Sequence, residues 1–349
     1  MIVTKIWTEK VEPSNIVLPL IRKKLVIKLE NISTAVANSL MRVMMNEITT
    51  YSLREPETVE ISDPFMTNEF VLSRLSMIPI CFPISDNCQD YRFDLNIENK
   101  TVVPKVILSE DIICQNCSTV IFNPSFEIAI LSPGTFLNIK NLRLVSGIGL
   151  QNASYSLMCR GVLHPMDIEE YNPDEYSGSK TVINQEFSPE PILLADWSGF
   201  KKSASHVNPQ KHMITGWLPA VKRTSDAVKS MIIESCKILI NHLRHVREVL
   251  DDESIKYINV IEGIKLSLVL KKETHTIGNL IRRSIYDFTD GNIIFVGYKS
   301  IGYKNEIILT VIAQNEEDIY SAVIGGIKMA IDIYDKIKNE ISKIKVTEN

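Results

Sequence analysis

The sequence predicts an α+β fold made of more than one domain, and three observations carry that expectation. Residues 232–250 and 323–344 each place apolar side chains at spacings of three and four, the pattern of long helices packed along a seam. Between residues 81 and 164, short β-branched runs alternate with Pro, Gly and Asn, the pattern of a mainly-β domain. From Ile261 a strand-like run, a helix-start signal and two more strand-like runs come in close succession. A chain of 349 residues is long enough for two or three domains, each with its own core.

In chain order, Ile16–Ile21 and Leu25–Leu29 read as strands. After Asn31 a helix is expected, with Val36, Leu40, Val43 and Met44 on one stripe and Ala37 and Met41 beside it. The runs Tyr91–Ile97, Ser125–Ile130 and Phe136–Lys140 supply the β segments of the middle region, with a turn at Pro133-Gly134. Residues 165–215 are polar and interrupted by Pro165, Pro173, Pro189, Pro191 and Pro209. They read as a long extension that lies on a larger partner, because a connection of that length is otherwise unusual. A helix comes after Pro219, seamed by Ile232, Cys236, Leu239, Leu243, Val246 and Leu250. The acidic stretch Asp251-Asp-Glu-Ser254 is the expected joint between the two halves of the chain. In Lys272-Glu-Thr-His-Thr-Ile-Gly-Asn-Leu-Ile-Arg-Arg283, Thr274 can cap a helix, and Ile277, Leu280, Ile281 and Ile285 line one face. The last helix, after Asn315, is seamed by Val323, Ile327, Ile331, Tyr334, Ile337, Ile341 and Ile344. Glu316, Glu317 and Asp318 suit its positive end, and Lys336, Lys338, Lys343 and Lys345 its negative end. A coiled-coil homodimer is the plain alternative reading of such seams.

Composition narrows the function. The chain is 45% hydrophobic and 23% charged, as in globular proteins, and no apolar run approaches the ~20 residues of a membrane span. Its first residues lack a signal-peptide pattern, so export is not expected. A formal net charge of −4 argues against broad phosphate binding and leaves only a local patch as a route to nucleic acid. The six cysteines form no disulfide framework, which points to a reducing compartment. Cys114-Gln-Asn-Cys117 is the close pair. A zinc site would need Cys81 and Cys88 as well, and their spacing is wider than metal-binding pairs usually show, so thiols and no cofactor are expected. No Gly-x-Ser-x-Gly element or phosphate-binding Gly-rich loop occurs, and His275 suits packing or partner contact better than catalysis.

Several of these segments also carry a resemblance. The last 90 or so residues, through His-Thr-Ile-Gly-Asn-Leu280 and Phe295-Val-Gly-Tyr298, resemble the small L-type partner of the α-like heterodimer in archaeal RNA polymerase and its eukaryotic counterparts. Asn38-Ser-Leu-Met-Arg-Val-Met-Met-Asn-Glu-Ile48 resembles the first helix of the bacterial α subunit and of the archaeal D-type partner, with Met41-Arg42 where the family usually has two arginines. Phe65–Ile80 is similar to the second conserved element of that family. Asn123–Gly134 is similar to viral members. Gly147–Ala153 is similar to a family Gly-Ile-Gly/Ala loop, with Asn152 where many members have His. One chain thus resembles both partners of the α-like heterodimer, a fusion found in large nucleocytoplasmic DNA viruses of the African swine fever virus kind.

The resemblance implies an α-like dimerisation domain (residues 1–80 with 205–250), an inserted mainly-β domain with the polar extension (81–204) and an L-like α/β domain (251–349). It implies a non-catalytic assembly platform for the two largest polymerase subunits and a small auxiliary subunit. DNA would be met only through the holoenzyme, no membrane is involved, and the place of work is the virion and the host cytoplasm at viral factories. The matched contact positions are Asn38, Ser39, Arg42, Glu47, Glu69, Arg74, Thr274, His275, Thr276, Gly278 and Asn279. A tether between the partners would make their pairing intramolecular, at an effective concentration of order mM, and so offset the entropy cost of association. The rival is a stand-alone enzyme or metal-binding protein using the Cys and His residues.

Overall fold

The computed structural model describes residues 2–11, 22–81, 90–116, 122, 126–167, 207–219, 224–251, 257–260, 263–290, 292–301, 304 and 306–348. The run Ile16–Ile21, the segment 168–206 and most of the Asp251–Ser254 joint lie outside them.

The chain opens with strands β1 (Val3–Val11) and β2 (Arg22–Glu30), then helix α1 (Thr34–Asn46). Next come strands β3 (Thr49–Arg54) and β4 (Thr58–Ile61), helix α2 (Asn68–Ser76), and strands β5 (Arg92–Glu98), β6 (Lys105–Leu108), β7 (Ile113–Cys114), β8 (Glu127–Leu131) and β9 (Phe136–Ile148). Strands β10 (Cys159–Asp167) and β11 (Val207–Pro219) lead into the long helix α3 (Thr224–Leu250). The remainder is β12 (Tyr257–Val260), β13 (Gly263–Lys271), α4 (His275–Phe288), β14 (Phe295–Ile301), β15 (Glu306–Ala313), α5 (Glu316–Lys343) and β16 (Thr347–Glu348).

Two sheets enclose the main core. The first runs β10-β11-β2-β1-β16, and the second β12-β13-β15-β14. They share a plan: β2 leads into α1 and its neighbour β11 into α3, just as β13 leads into α4 and its neighbour β15 into α5. Alternation along β2 turns Leu25, Ile27 and Leu29 inward, and along β13 Leu266, Leu268 and Leu270. The seam residues of α3 and α5 meet between them, so both halves of the chain bury their apolar faces in one continuous core. Helices α4 and α5 approach closely at Gly326, where a Cβ would lie 2.8 Å from the Ile285 backbone nitrogen. The halves also interlock at their far ends. Strand β16 pairs parallel with β1, and the Glu340 carboxylate accepts from the Ile2 and Val3 amides at 2.7 and 2.8 Å.

A second, separate core lies between α2 and the sheet β3-β9-β5-β7, with β4 on β9 and the pair β6-β8 alongside. The expected start of this insertion at residue 81 falls inside it: Leu53, Val71, Leu75 and Ile78 already belong to its core. The expected polar extension also differs. Its two ends are strands, to Asp167 and from Val207, paired antiparallel in the first sheet. Proline breaks the period there, but β10 is an edge strand with register shifts, where proline is tolerated.

Candidate functional site

Helices α1 and α4 carry most of the matched positions, and each starts from a strand of its own sheet. Thr274 caps α4: its hydroxyl accepts from the Thr276 amide at 3.3 Å. Gly278 leaves room for the Tyr298 ring, which a Cβ would meet at 2.6 Å. The exposed His275 stands edge-on to that ring, 5.7 Å between centroids, with Nδ1 3.3 Å from the Tyr298 hydroxyl. Thr276 and Gly278 are buried and act in packing. On α1, Arg42 is exposed while its neighbours Met41 and Val43 are buried.

Two of the matched residues, one from each half, come together. Asn38 of α1 and Asn279 of α4 line one cleft of about 600 Å³ between α1, α4 and α5. Arg282 reaches into the same cleft and donates to the Asn279 side-chain oxygen from Nη2 at 3.1 Å.

Three of the matched contact residues have partners within the chain itself. Ser39 does not face outward. It is buried, donates to the Ala35 carbonyl at 2.5 Å and lies 3.0 Å from the Tyr334 hydroxyl of α5, which itself donates to the Val36 carbonyl at 3.3 Å. One residue's step along α1 turns it from the solvent face to the seam. Glu47 is likewise engaged within the chain. Its carboxylate accepts from His242 Nε2 at 3.1 Å, while His242 Nδ1 donates to Glu273 at 2.8 Å. The imidazole of α3 therefore bridges the end of α1 and the turn before α4. The two carboxylate hydrogen bonds, Glu273's first and Glu47's second, outweigh partial burial and push His242 up to about 10. Arg74, on α2, donates from Nη2 to the Glu127 carbonyl at 2.5 Å and stacks over Phe126 at 4.9 Å, so it braces the second core. Glu69, in the first turn of the same helix, is exposed.

Cys114 takes part in a disulfide and is not the thiol expected. Cys81 is half-buried, and Cys88 and Cys117 lie outside the described residues. Among the described residues no set of three or more His, Cys, Asp or Glu side chains is placed to hold a metal ion. The sequence marks Tyr334 only as a seam residue and gives His242, Glu273 and Arg282 no role, although Glu273 and Arg282 both stand in the Lys272–Arg283 word.

Comparison with known proteins places this architecture. Residues 265–340 match the model of the RNA polymerase Rpb3/Rpb11 dimerisation domain. Over 342 residues the chain is 30% identical to the DNA-directed RNA polymerase RPB3-11 homolog of a Kenyan pig isolate of African swine fever virus, covering 93% of this chain and 89% of that protein. The same protein of a Malawian tick isolate is 29% identical over 343 residues, with 94% and 90% covered. Given the two-sheet, seamed-helix core and relatives that match across nearly the whole length, the chain belongs to the RPB3-11 family of viral DNA-directed RNA polymerase subunits.

Proposed function

We propose that the chain is the non-catalytic assembly platform of its polymerase, a fused D/L-type heterodimer that folds first and then receives the two largest subunits and a small auxiliary subunit. Virion and viral factory in the host cytoplasm are the corresponding sites of action. The observation that carries this reading is the shared core: seams that separate subunits would have to find by diffusion already face each other within one chain. An obligate interface of this kind buries thousands of Å² with an apolar centre. The pre-formed pair leaves Arg42, His275 and the Asn38–Asn279 cleft on its outside, where a large subunit can reach them.

Arg42→Glu tests the reading. Arg42 is exposed on α1, so the variant folds normally. Loss of a desolvated charged contact typically costs about 2–5 kcal/mol. Co-expressed with the two large subunits, the variant is expected to remain outside the complex. Recruitment equal to the parent chain rejects Arg42 as a platform contact.

A further inference from the structure

The first sheet buries one face against the helices, and among the described residues no element covers the other. Register lines up the uncovered side chains. Lys5 stands opposite Lys28 and Glu9 opposite Lys24, while between them Trp7 stands opposite Val26, which is itself buried. On the next strand Met213, Thr215 and Trp217 continue the rows, and β10 adds His164 and Val162. Like charges placed directly opposite are destabilising, yet Lys5 and Lys28 face each other. Their ammonium groups lie 5.1 and 5.7 Å from the Trp7 ring centroid, and among the described residues neither has a carboxylate partner. Arg160 lies 5.9 Å from the Trp217 ring centroid. Glu9 accepts from Trp7 Nε1 at 2.7 Å and pairs with Lys24 at 3.2 Å, so its charge is already answered within the face. Among the described residues of this face, Lys5, Lys28 and Arg160 stand beside indole rings with no carboxylate against them, on a chain whose net charge is −4.

We propose that this face binds single-stranded nucleic acid directly, rather than leaving all such contact to the rest of the polymerase. Phosphates complement Lys5, Lys28 and Arg160. Drawing Lys5 and Lys28 toward phosphate uncovers the Trp7 ring, and Trp217 offers a second, so bases gain π-faces on which to stack. Four strands at about 4.8 Å spacing give a flat platform roughly 15 Å across, suited to an extended strand. An acidic polypeptide would answer the charges but has no use for two indoles.

The test uses the purified full-length chain and a short fluorescein-labelled oligo(dT). Each cation that meets a phosphate contributes about −0.7 to the slope of log affinity against log salt for single strands. Three contacts therefore predict a roughly twentyfold loss of affinity between about 50 and about 200 mM salt. Lys5→Ala combined with Lys28→Ala is expected to cut that loss to about threefold, with an unchanged melting profile because neither side chain belongs to the core. Tryptophan emission should fall on binding oligo(dT). Arg160→Ala provides an independent check and should flatten the slope by a further single contact. Unchanged affinity and slope in these variants overturns the proposal. So does a polyglutamate peptide of matched charge that binds as tightly as the oligonucleotide.

Discussion

Replacing His242 with Gln removes the cation between Glu47 and Glu273. In the folded chain Glu273 is 4% exposed and the Glu47 side chain 14%, so neither carboxylate has much water to fall back on. Raising an imidazole from 6.5 to about 10 corresponds to an upper limit near 5 kcal/mol at 1.36 kcal/mol per unit. The ring is about a third exposed, and solvent screening brings the expected contribution to ~3 kcal/mol, in line with the cost of breaking a partly buried pair. The sign comes from linkage. The folded value lies above the unfolded one, so the stabilisation is complete below about pH 6.5 and is lost as the pH rises toward about 10. Denaturant unfolding of the parent chain and His242→Gln at pH 6, 8 and 10 measures it. The gap should be ~3 kcal/mol at pH 6 and close by pH 10. Equal stability at pH 6, or a gap of constant size across the series, refutes the bridging role. Removing both Glu47 and His242 should cost less than the sum of the single changes, as expected for residues in contact.

Gly326→Ala forces a methyl group against the Ile285 backbone, which cannot rotate away, and should destabilise the chain by about 1–3 kcal/mol in thermal melts. Tyr334→Phe removes the hydroxyl shared by Ser39 and Val36 inside the seam and should cost roughly 1–2 kcal/mol, measured the same way. Purified protein is expected to carry well under one zinc per chain by elemental analysis; stoichiometric zinc, lost on replacing Cys114 and Cys117 with Ser, would show a structural metal instead. Cleavage at the Asp251–Ser254 joint should yield two pieces that co-elute when co-expressed and aggregate when made alone, because each seam would then be an exposed apolar strip.

Long periodic elements were legible in the sequence because their side chains repeat one decision many times. Every position of the Ile232–Leu250 seam is buried as its spacing implies. Thr274 was legible for a similar reason, as capping needs only a hydroxyl at the right offset. Single residues were harder. Ser39 sits three residues after Val36 and four before Val43, on the apolar stripe, so its inward direction was implied by helical spacing, while its hydroxyl's partner on α5 was not. His242 gave no signal at all, since its partners lie 195 and 31 residues away. The strands β10 and β11 hid behind prolines. The second core's reach back to Leu53 hid because Leu53, Val71 and Leu75 look the same whichever core they enter.

The register of β3 and β9 has a consequence for how freely the second core can be exchanged. The chain enters that module at Thr49 and leaves it at Ile148, and these two residues are direct cross-strand partners. Their Cα atoms are therefore only about 4.5–5.5 Å apart. A tight turn would span that gap, so the module hangs from the rest of the molecule at a single pinch. It could be excised, enlarged or grafted from another chain while the two sheets and seamed helices keep their geometry. Among the described residues the fastenings that would be cut are hydrogen bonds such as the Thr50 hydroxyl donating to the Tyr155 carbonyl at 2.6 Å and Arg54 donating to the Ser154 hydroxyl at 2.7 Å. The main core is in this sense a socket, and the inserted module a fitting that can change its shape without retooling the socket.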